Sequence, residues 1–532
     1  LLAAAALLLA LTHSLTFYQD TWEFLINRHD LSVDALLRPH NEHIVVIPVA
    51  IEMFLLNVFG MTSALPEYVL LTLALLVTAT LLFVYVRRRL GPWPALMAAV
   101  LLLFLGPAWQ DILWPFELVF VSSILFGIAM LLALDRDDRR GDIAACVFLT
   151  LSAGSSSLGL SFMAAAAVNV FLRRRGRGLE RIYVVAVPVV LFLLWYLGWG
   201  HNAESHVTLR NVLSSPPFVI EGLASSVESA LGLHNAPIEG VAAVGWGQPL
   251  LVALVALVVY GQWRRPGFSP GFWVVAAATA TNWFLAAFNY IPGREPTSGR
   301  YMYAGVIFIL LLAAELLRGV RIGRNALLIG GAVTLAAVAS NLVPLKDGSD
   351  WLKNQTVLTK SDTAAIEIAR RTVDPNFDLT PEVAGTGSLI DIQAGKYLEI
   401  EREFGSPAYT PSELASAPEV GRQQADIVLA KALPLSTESS AGIKLNPSGR
   451  CTTITGGAEP SAARLSPGVT RIEVPPGPRA SFSLRRFAAS GYPVSTEGAQ
   501  GDSTTRLRIP RDASPRPWYL HVVARQPVRV CG

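Results

Sequence analysis

The sequence predicts an α-helical polytopic membrane protein of about eleven spans, followed by an extracytoplasmic α+β domain ending in a β-sandwich-like part. Three observations carry this. The 532 residues are 52% hydrophobic and only 16% charged, where a soluble domain carries about 25% charged residues. The apolar residues gather in blocks such as 66–86, 182–199 and 301–317, each near the roughly 20 residues that cross a bilayer. After residue 343 the composition turns to Pro, Gly, Ser, Thr and charge. A soluble enzyme, a nucleic-acid binder and a disordered scaffold are excluded as whole-chain readings. The two domains expected are 1–343, transmembrane, and 344–532, extracytoplasmic.

The spans read as 1–15, 65–86, 93–106, 118–134, 143–153, 159–172, 182–199, 248–263, 271–289, 301–317 and 326–343. The run 1–15 reads as the remainder of a first span rather than a cleaved signal, because no small-residue cleavage site precedes Phe17. Gly154-Ser155-Ser156-Ser157 breaks the pair 143–172, and such breaks persist only where protein or a wet cavity covers the backbone. The run 217–233 is left open between one more helix at the interface and a full crossing, and a crossing would invert the charge pattern that follows. Orientation follows from basic residues. Arg87, Arg88, Arg89, Arg136, Arg139, Arg140, Arg173, Arg174, Arg175, Arg177, Arg181, Arg264, Arg265, Arg318, Arg321 and Arg324 all fall on one side, and the opposite loops carry only Arg28, Arg38, Arg210, Arg294 and Arg300. The arginine-rich side is therefore read as cytoplasmic, with the amino end inside the plasma membrane and the tail outside.

In the tail, Ser361 is expected to cap a helix over 362–372, Ser412 one around 413–417, and Gly405 to end 391–404. The segments Thr470–Val474, Arg506–Ile509 and Tyr519–Val523 alternate like strands. Cys451 and Cys531 both fall outside the membrane, where a disulfide between them is permitted. Cys146 reads as a small core residue within a span. Three cysteines are too few for a disulfide scaffold or a zinc ribbon.

The outward loops hold the candidate chemistry. Loop 16–64 contains Phe17-Tyr18-Gln19-Asp20-Thr21-Trp22-Glu23, then Pro39-His40-Asn41-Glu42-His43, then an amphipathic run 44–60 read as a helix along the membrane surface. His40, Glu42 and His43 form a candidate metal or acceptor-binding cluster, since imidazole and carboxylate suit zinc or manganese and His40 and His43 would share a helix face. The plainer reading is a capped turn with hydrogen-bonded histidines. Arg294 and Arg300, beside Tyr290, Tyr301 and Tyr303, offer guanidinium forks matched to phosphate oxygens; snorkelling at the interface is the alternative. Loop 107–117 presents Trp109, Gln110, Asp111, Trp114 and Glu117, of which Trp114 is the candidate for stacking on a sugar. His201, Glu204 and His206 follow the seventh span. Trp518, Tyr519 and His521 read as core or surface aromatics.

Several of these features together resemble the GT-C glycosyltransferases, polytopic enzymes that use polyprenyl-phosphate sugars outside the cytoplasmic membrane. They are Asp20 at the end of the first span, Pro48 through Phe59-Gly60-Met61-Thr62-Ser63 before the second, and Arg87-Arg88-Arg89-Leu90-Gly91 at its basic end. Ser298-Gly299-Arg300-Tyr301-Met302-Tyr303 matches a Ser-Arg-Tyr-like element with a Gly inserted. Where many members carry paired acids, this chain has Asp20-Thr21 with Glu23 further on, and Pro39-His40-Asn41-Glu42-His43 has no general counterpart. The resemblance covers about 1–343. It implies an inverting hexosyl or pentosyl transfer from a polyprenyl-phosphate sugar to a bacterial envelope glycan, glycolipid or protein. Asp20 would be the base or a metal-binding carboxylate supported by Glu23. Arg300, with Arg294 and Tyr301, would hold the lipid phosphate. The sequence establishes no cofactor with certainty; a divalent metal is compatible, with Asp20, His40 and His43 as candidates. The rival readings are a transporter or flippase of lipid-linked precursors and a non-catalytic assembly factor. Ionisable residues within the spans are few beyond His13, Glu52 and Glu315, which disfavours transport.

Overall fold

The computed structural model describes residues 1–30, 32–172, 180–234, 245–264, 267–379, 392–433, 436–441, 451–454, 461–474, 480–489, 492–493 and 503–532. Arg173, Arg174, Arg175, Arg177 and Arg265 of the orientation pattern lie outside these residues. The chain divides into two compact units. The first comprises Leu1–Ser14, Arg28–Leu55 and Leu65–Leu352, and the second Leu15–Asn27, Leu56–Ala64 and Lys353–Gly532.

Each of the eleven expected spans falls on a helix. Leu65–Leu90, Pro115–Leu134, Pro270–Phe288, Gly299–Leu316 and Arg324–Ala369 are long and apolar enough to cross a membrane, and Pro92–Leu103 with Gly106–Leu113 forms a pair bent by 45°. Leu2–Thr12, Val46–Phe59, Gly159–Leu172, Tyr183–Gly198 and Gly247–Trp263 are shorter apolar helices. On Leu65–Leu90 the buried residues Tyr68, Leu71, Leu75, Ala79, Leu82 and Val86 recur at three- and four-residue steps, the period of one helix face. The opposite face is equally apolar but exposed, with Leu73 and Val77 outward, as are Leu194, Leu197, Val252 and Leu257 elsewhere. Each such side chain left in water would forfeit about 1.5–3 kcal/mol, so the surrounding solvent is lipid. The chain is a multi-pass membrane protein.

Close helix approaches explain several small residues. Gly222 sits against the ring of Trp283, where a Cβ would lie 2.0 Å from Cζ3, and Gly305 faces Ser226. The helix Ser215–Ala230, within which the run 217–233 largely falls, is therefore packed against its neighbours. Its small residues Gly222, Ser225, Ser226 and Ser229 let neighbouring backbones approach. Glu315, counted among the intramembrane ionisable residues, lies in the last turn of Gly299–Leu316. It accepts hydrogen bonds from Arg89 and from Tyr85 Oη (2.8 Å), and Arg89 also binds Asp135 at 3.1 Å. Glu315 thus ties helix ends together.

The helix Arg324–Ala369 runs unbroken through Pro344. Ser361 does not cap a new helix; its Oγ donates to Val357 O at 2.7 Å within the same one. In the second unit, Gly405 (φ +91°) ends Ala394–Phe404 as expected, whereas Thr410, not Ser412, caps Pro411–Ser416 in a reciprocal pairing with Glu413. Beyond residue 433 the described residues form two antiparallel sheets. One is ordered Ser436–Ala441, Ser503–Ile509, Gly468–Val474, Val528–Cys531, Cys451–Ile454; the other Ser461–Leu465, Trp518–Val523, Ser481–Arg485, Tyr492–Pro493. Alternation buries Thr470, Ile472, Val474, Leu507, Ile509, Leu520 and Val522, the inner faces of a sandwich.

Cys451 and Cys531 are directly opposite in register and joined by a disulfide. The bond closes a separation of 80 residues, which removes about 4–5 kcal/mol of chain entropy from the unfolded ensemble. Reductant, or the Cys451→Ser/Cys531→Ser pair, should lower the melting of the sandwich correspondingly. Unchanged melting in reductant would refute a structural role.

Candidate functional site

In the first unit the Pro39–His43 segment is a clamped turn. Ser32 caps Val33–Leu37 through Ala35 N (3.0 Å), and Arg38 leaves the helix extended (ψ 133°), as a residue before proline must. The guanidinium of Arg28, 1% exposed, donates to Arg38 O (2.7 Å) and Pro39 O (2.8 Å). His40 and His43 then exchange both backbone hydrogen bonds, at 3.0 and 2.9 Å. Asn41, at φ +49°, makes the tip, a conformation Asn tolerates better than most residues. The two histidines therefore face each other across a tight turn, which corrects the expected shared helix face. Their rings meet Phe116 and Phe120 edge-on at 5.2 and 5.1 Å. Trp195 Nε1 donates to Leu37 O (2.7 Å) and Glu204 N to Asn41 O (3.1 Å), so Glu204 supports the turn through its backbone.

The turn presents Glu42 to Arg294, whose Nη1 donates to Oε1 at 2.5 Å. The other oxygen, Oε2, is buried with no hydrogen-bond partner among the described residues. Burial pushes the Glu42 carboxyl up, but His43 and Arg294 outweigh it and the net shift is downward. His43 Nδ1 hydrogen-bonds Ser157 Oγ, at the break between Arg139–Ser155 and Gly159–Leu172. Burial lowers His43 from 6.5 to about 4; Glu42 opposes this, while His40, Arg294 and Arg300 add to it. His43 is thus neutral at pH 7. Between about pH 4 and 6.5 the unfolded chain binds more protons than the folded one, so acidification across that window should cost up to about 3 kcal/mol. Melting of wild type should fall more steeply with pH than that of His43→Gln; parallel pH curves would discard the assignment.

Arg300 stands in the first turn of Gly299–Leu316, exposed and without a hydrogen-bond or ion-pair partner among the described residues. Gly299 packs on the turn Gly106–Ala108, where a Cβ would meet Pro107 O at 2.7 Å. That contact accounts for the glycine between Ser298 and Arg300. Arg300 lies within electrostatic reach of His43 and of Asp111. Among the described residues Glu295 forms an ion pair with neither arginine; it accepts from Tyr290 Oη at 3.1 Å. Asp111 and Glu117 are buried, and so is Trp114, which stacks on Phe116 at 5.2 Å. Tyr301 packs edge-on against Phe218 at 6.3 Å.

Asp20 and Glu23 belong to the second unit. Both are half-buried in the first turn of Asp20–Asn27, where carboxylates suit the helix dipole. Trp22 between them is fully buried against Phe17 (5.6 Å) and Tyr397 (6.0 Å), fixing the rotation of the turn. Among the described residues no group of three or more His, Cys, Asp or Glu side chains is placed to hold a metal ion.

The structure brings His40, Glu42, His43, Arg294 and Arg300 together within the first unit. It adds two residues to which the sequence assigned no role. The Gly154–Ser157 break marked Ser157 only as an interruption, and nothing local marked Arg28 as the clamp of the turn.

No protein-family model and no curated protein matches this chain. Among solved structures it is similar to ArnT from Cupriavidus metallidurans bound to undecaprenyl phosphate, at 11% identity and a TM-score of 0.44, over 82% of this chain and 91% of that one. It is likewise similar to the apo state of the same protein, at 14% identity and a TM-score of 0.43, over 83% and 92%.

Proposed function

We propose that this chain is a GT-C-type membrane glycosyltransferase that moves a sugar from a polyprenyl-phosphate donor to an envelope acceptor on the extracytoplasmic face of the plasma membrane. The observation that carries the reading is Arg300, an exposed guanidinium without a hydrogen-bond or ion-pair partner among the described residues, at a helix N-terminus and near the Arg294–Glu42 pair. A polyprenyl-phosphate sugar is a phosphodiester. As the acceptor oxygen bonds to the anomeric carbon, the carbon–oxygen bond to phosphate breaks and the leaving phosphate gains negative charge. A preplaced cation interacts more strongly with that developing charge than with the bound donor, and so lowers the barrier. Helix N-terminal amides act in the same sense. Glu42 pairs with Arg294, whereas Arg300 makes no ion pair among the described residues. Neutral His43 adds no competing positive charge beside it. The acceptor proton is assigned to Asp20 on the sequence resemblance, with Glu23 in support.

The test is release of polyprenyl phosphate from a panel of polyprenyl-phosphate sugars by detergent-purified protein with extracted envelope acceptors, divalent metal supplied. Turnover that collapses in Arg300→Ala and Asp20→Asn is expected. Turnover untouched by Asp20→Asn would remove the base assignment, and binding without turnover across the panel would overturn the transferase reading.

A further inference from the structure

The sandwich of the second unit carries a separate cluster of polar groups on its outer surface. Strand Trp518–Val523 lies between Ser461–Leu465 and Ser481–Arg485, antiparallel to both. Alternation sends Trp518, Leu520 and Val522 inward with Leu465, Ala463, Phe482 and Leu484, and Tyr519, His521 and Val523 to the other face. On that face the register sets Tyr519 directly opposite Arg464 on one side and Arg485 on the other, while His521 lies opposite Ala462 and Ser483. The result is an Arg–Tyr–Arg row across three strands, its arginine backbones about 10 Å apart at ordinary strand spacing.

The four strands of this sheet contain no Asp or Glu, so Arg464 and Arg485 have no acidic neighbour within them. Tyr519 is 36% exposed. Arg464 is exposed, and Arg485 is half-buried with Nη1 donating to Ala489 O at 2.9 Å. His521 is 7% exposed, and its Nε2 has no hydrogen-bond partner among the described residues. Such an atom costs free energy unless something binds it. Burial, and then Arg485, hold the imidazole below its usual range, which places the Arg485 charge on the side of His521. The residues beside His521, Ala462 and Ser483, are short.

These parts match one kind of ligand. A sugar ring has an apolar face that lies on an aromatic ring and an edge of hydroxyls that needs hydrogen bonds. An acidic group on that ring is matched by guanidinium forks. We propose that the Arg464–Tyr519–Arg485 face binds an acidic saccharide, its ring against Tyr519 and its carboxylate or phosphate on Arg464 and Arg485. The site lies wholly within the second unit and goes beyond the transferase reading without depending on it.

The experiment is calorimetric titration of the full-length protein in detergent with trigalacturonate, with its fully methyl-esterified neutral form, with a hexose 6-phosphate, and with phosphatidylglycerol vesicles. Either acidic sugar should bind, the neutral form should not, and added salt should weaken binding. Arg464→Ala and Arg485→Ala should each reduce affinity about tenfold or more. Tyr519→Ala should abolish binding, and Tyr519→Thr, which keeps a strand-favouring residue, guards against misfolding; melting should stay at the wild-type value in all variants that are scored. Equal affinity for the neutral sugar, no binding of either acidic sugar, or binding of vesicles alone would each overturn the proposal. Polyprenyl phosphate release, measured in parallel, should be the same in the arginine variants as in wild type, and absence of release from wild type would overturn the transferase reading while leaving this one standing.

Discussion

Replacing Asp426 by Ala should destabilise the C-terminal part of the chain by about 3–5 kcal/mol, one of the largest losses expected from a single side chain outside the membrane. Asp426 projects from the helix Glu419–Ala432 and is 1% exposed. Its carboxyl accepts three consecutive backbone amides, from Arg486 (2.8 Å), Phe487 (3.0 and 3.1 Å) and Ala488 (3.0 Å). All three donors are buried residues at the end of strand Ser481–Arg485, so removal of the acceptor leaves them without water to replace it. The loop holds more than itself. The Arg486 guanidinium binds Asp512 at 2.7 Å with both groups almost fully buried, and lies 4.6 Å over the ring of Trp518. Loss of the backbone anchor therefore also loosens a buried ion pair, whose partial disruption is costly in its own right. Asp426→Asn keeps one acceptor oxygen and should lose about half as much. Hydrogen exchange of the amides at 486–488 and melting of the C-terminal part report the effect. Wild-type exchange at those amides in Asp426→Ala would show that another group satisfies them.

What the sequence made legible follows the range of the forces involved. Spans are set by composition over a window of neighbours, and Leu65–Leu90 needs nothing distant to be apolar. The strands Gly468–Val474, Ser503–Ile509 and Trp518–Val523 were likewise readable, because each buries one face and so alternates. Ser436–Ala441 and Cys451–Ile454 were not. They are the two edge strands of their sheet, and their sequences, Ser-Thr-Glu-Ser-Ser-Ala and Cys-Thr-Thr-Ile, carry no apolar alternation. Of the caps, Gly405 is local and legible, whereas the two serines depend on what precedes them. Ser361 has the residue type of an N-cap, but a preceding turn was already helical, and there its hydroxyl bonds back to the i−4 carbonyl. In the candidate site the residue types were legible and the geometry was not. Whether His40 and His43 share a helix face or a turn depends on the backbone of Asn41 and on Arg28, ten residues before the carbonyl it grips. Ser157 meets His43 across 114 positions and Arg294 meets Glu42 across 252. One chain gives no signal for pairs so far apart.

The two arginines of that site should separate sharply when each is removed, and the contrast tests the functional reading more stringently than either variant alone. Arg300→Ala removes an exposed side chain with no partner among the described residues, so folding loses almost nothing. If Arg300 meets the phosphate as it leaves, polyprenyl phosphate release should fall by about 10²–10³, the usual cost of deleting one preorganised group facing transition-state charge. The loss should appear in turnover more than in donor binding, because the charge it meets develops only as the bond breaks. Arg300→Lys should recover part of the rate, since it restores the charge without the fork. Arg294→Ala should behave in the opposite way. It leaves Glu42, 16% exposed and with Oε2 already lacking a partner, without the cation that stabilises its charge, at about 2–3 kcal/mol of stability. With Arg294 gone, the Glu42 carboxyl should bind a proton more readily, so the defect should shrink as pH falls. The double variant Glu42→Gln/Arg294→Ala should regain most of the lost stability, because it deletes the stranded charge. If Arg300→Ala instead lowers melting and spares turnover while Arg294→Ala does the reverse, the roles of the two arginines are exchanged. Arg294, held by Glu42, would then be the phosphate ligand.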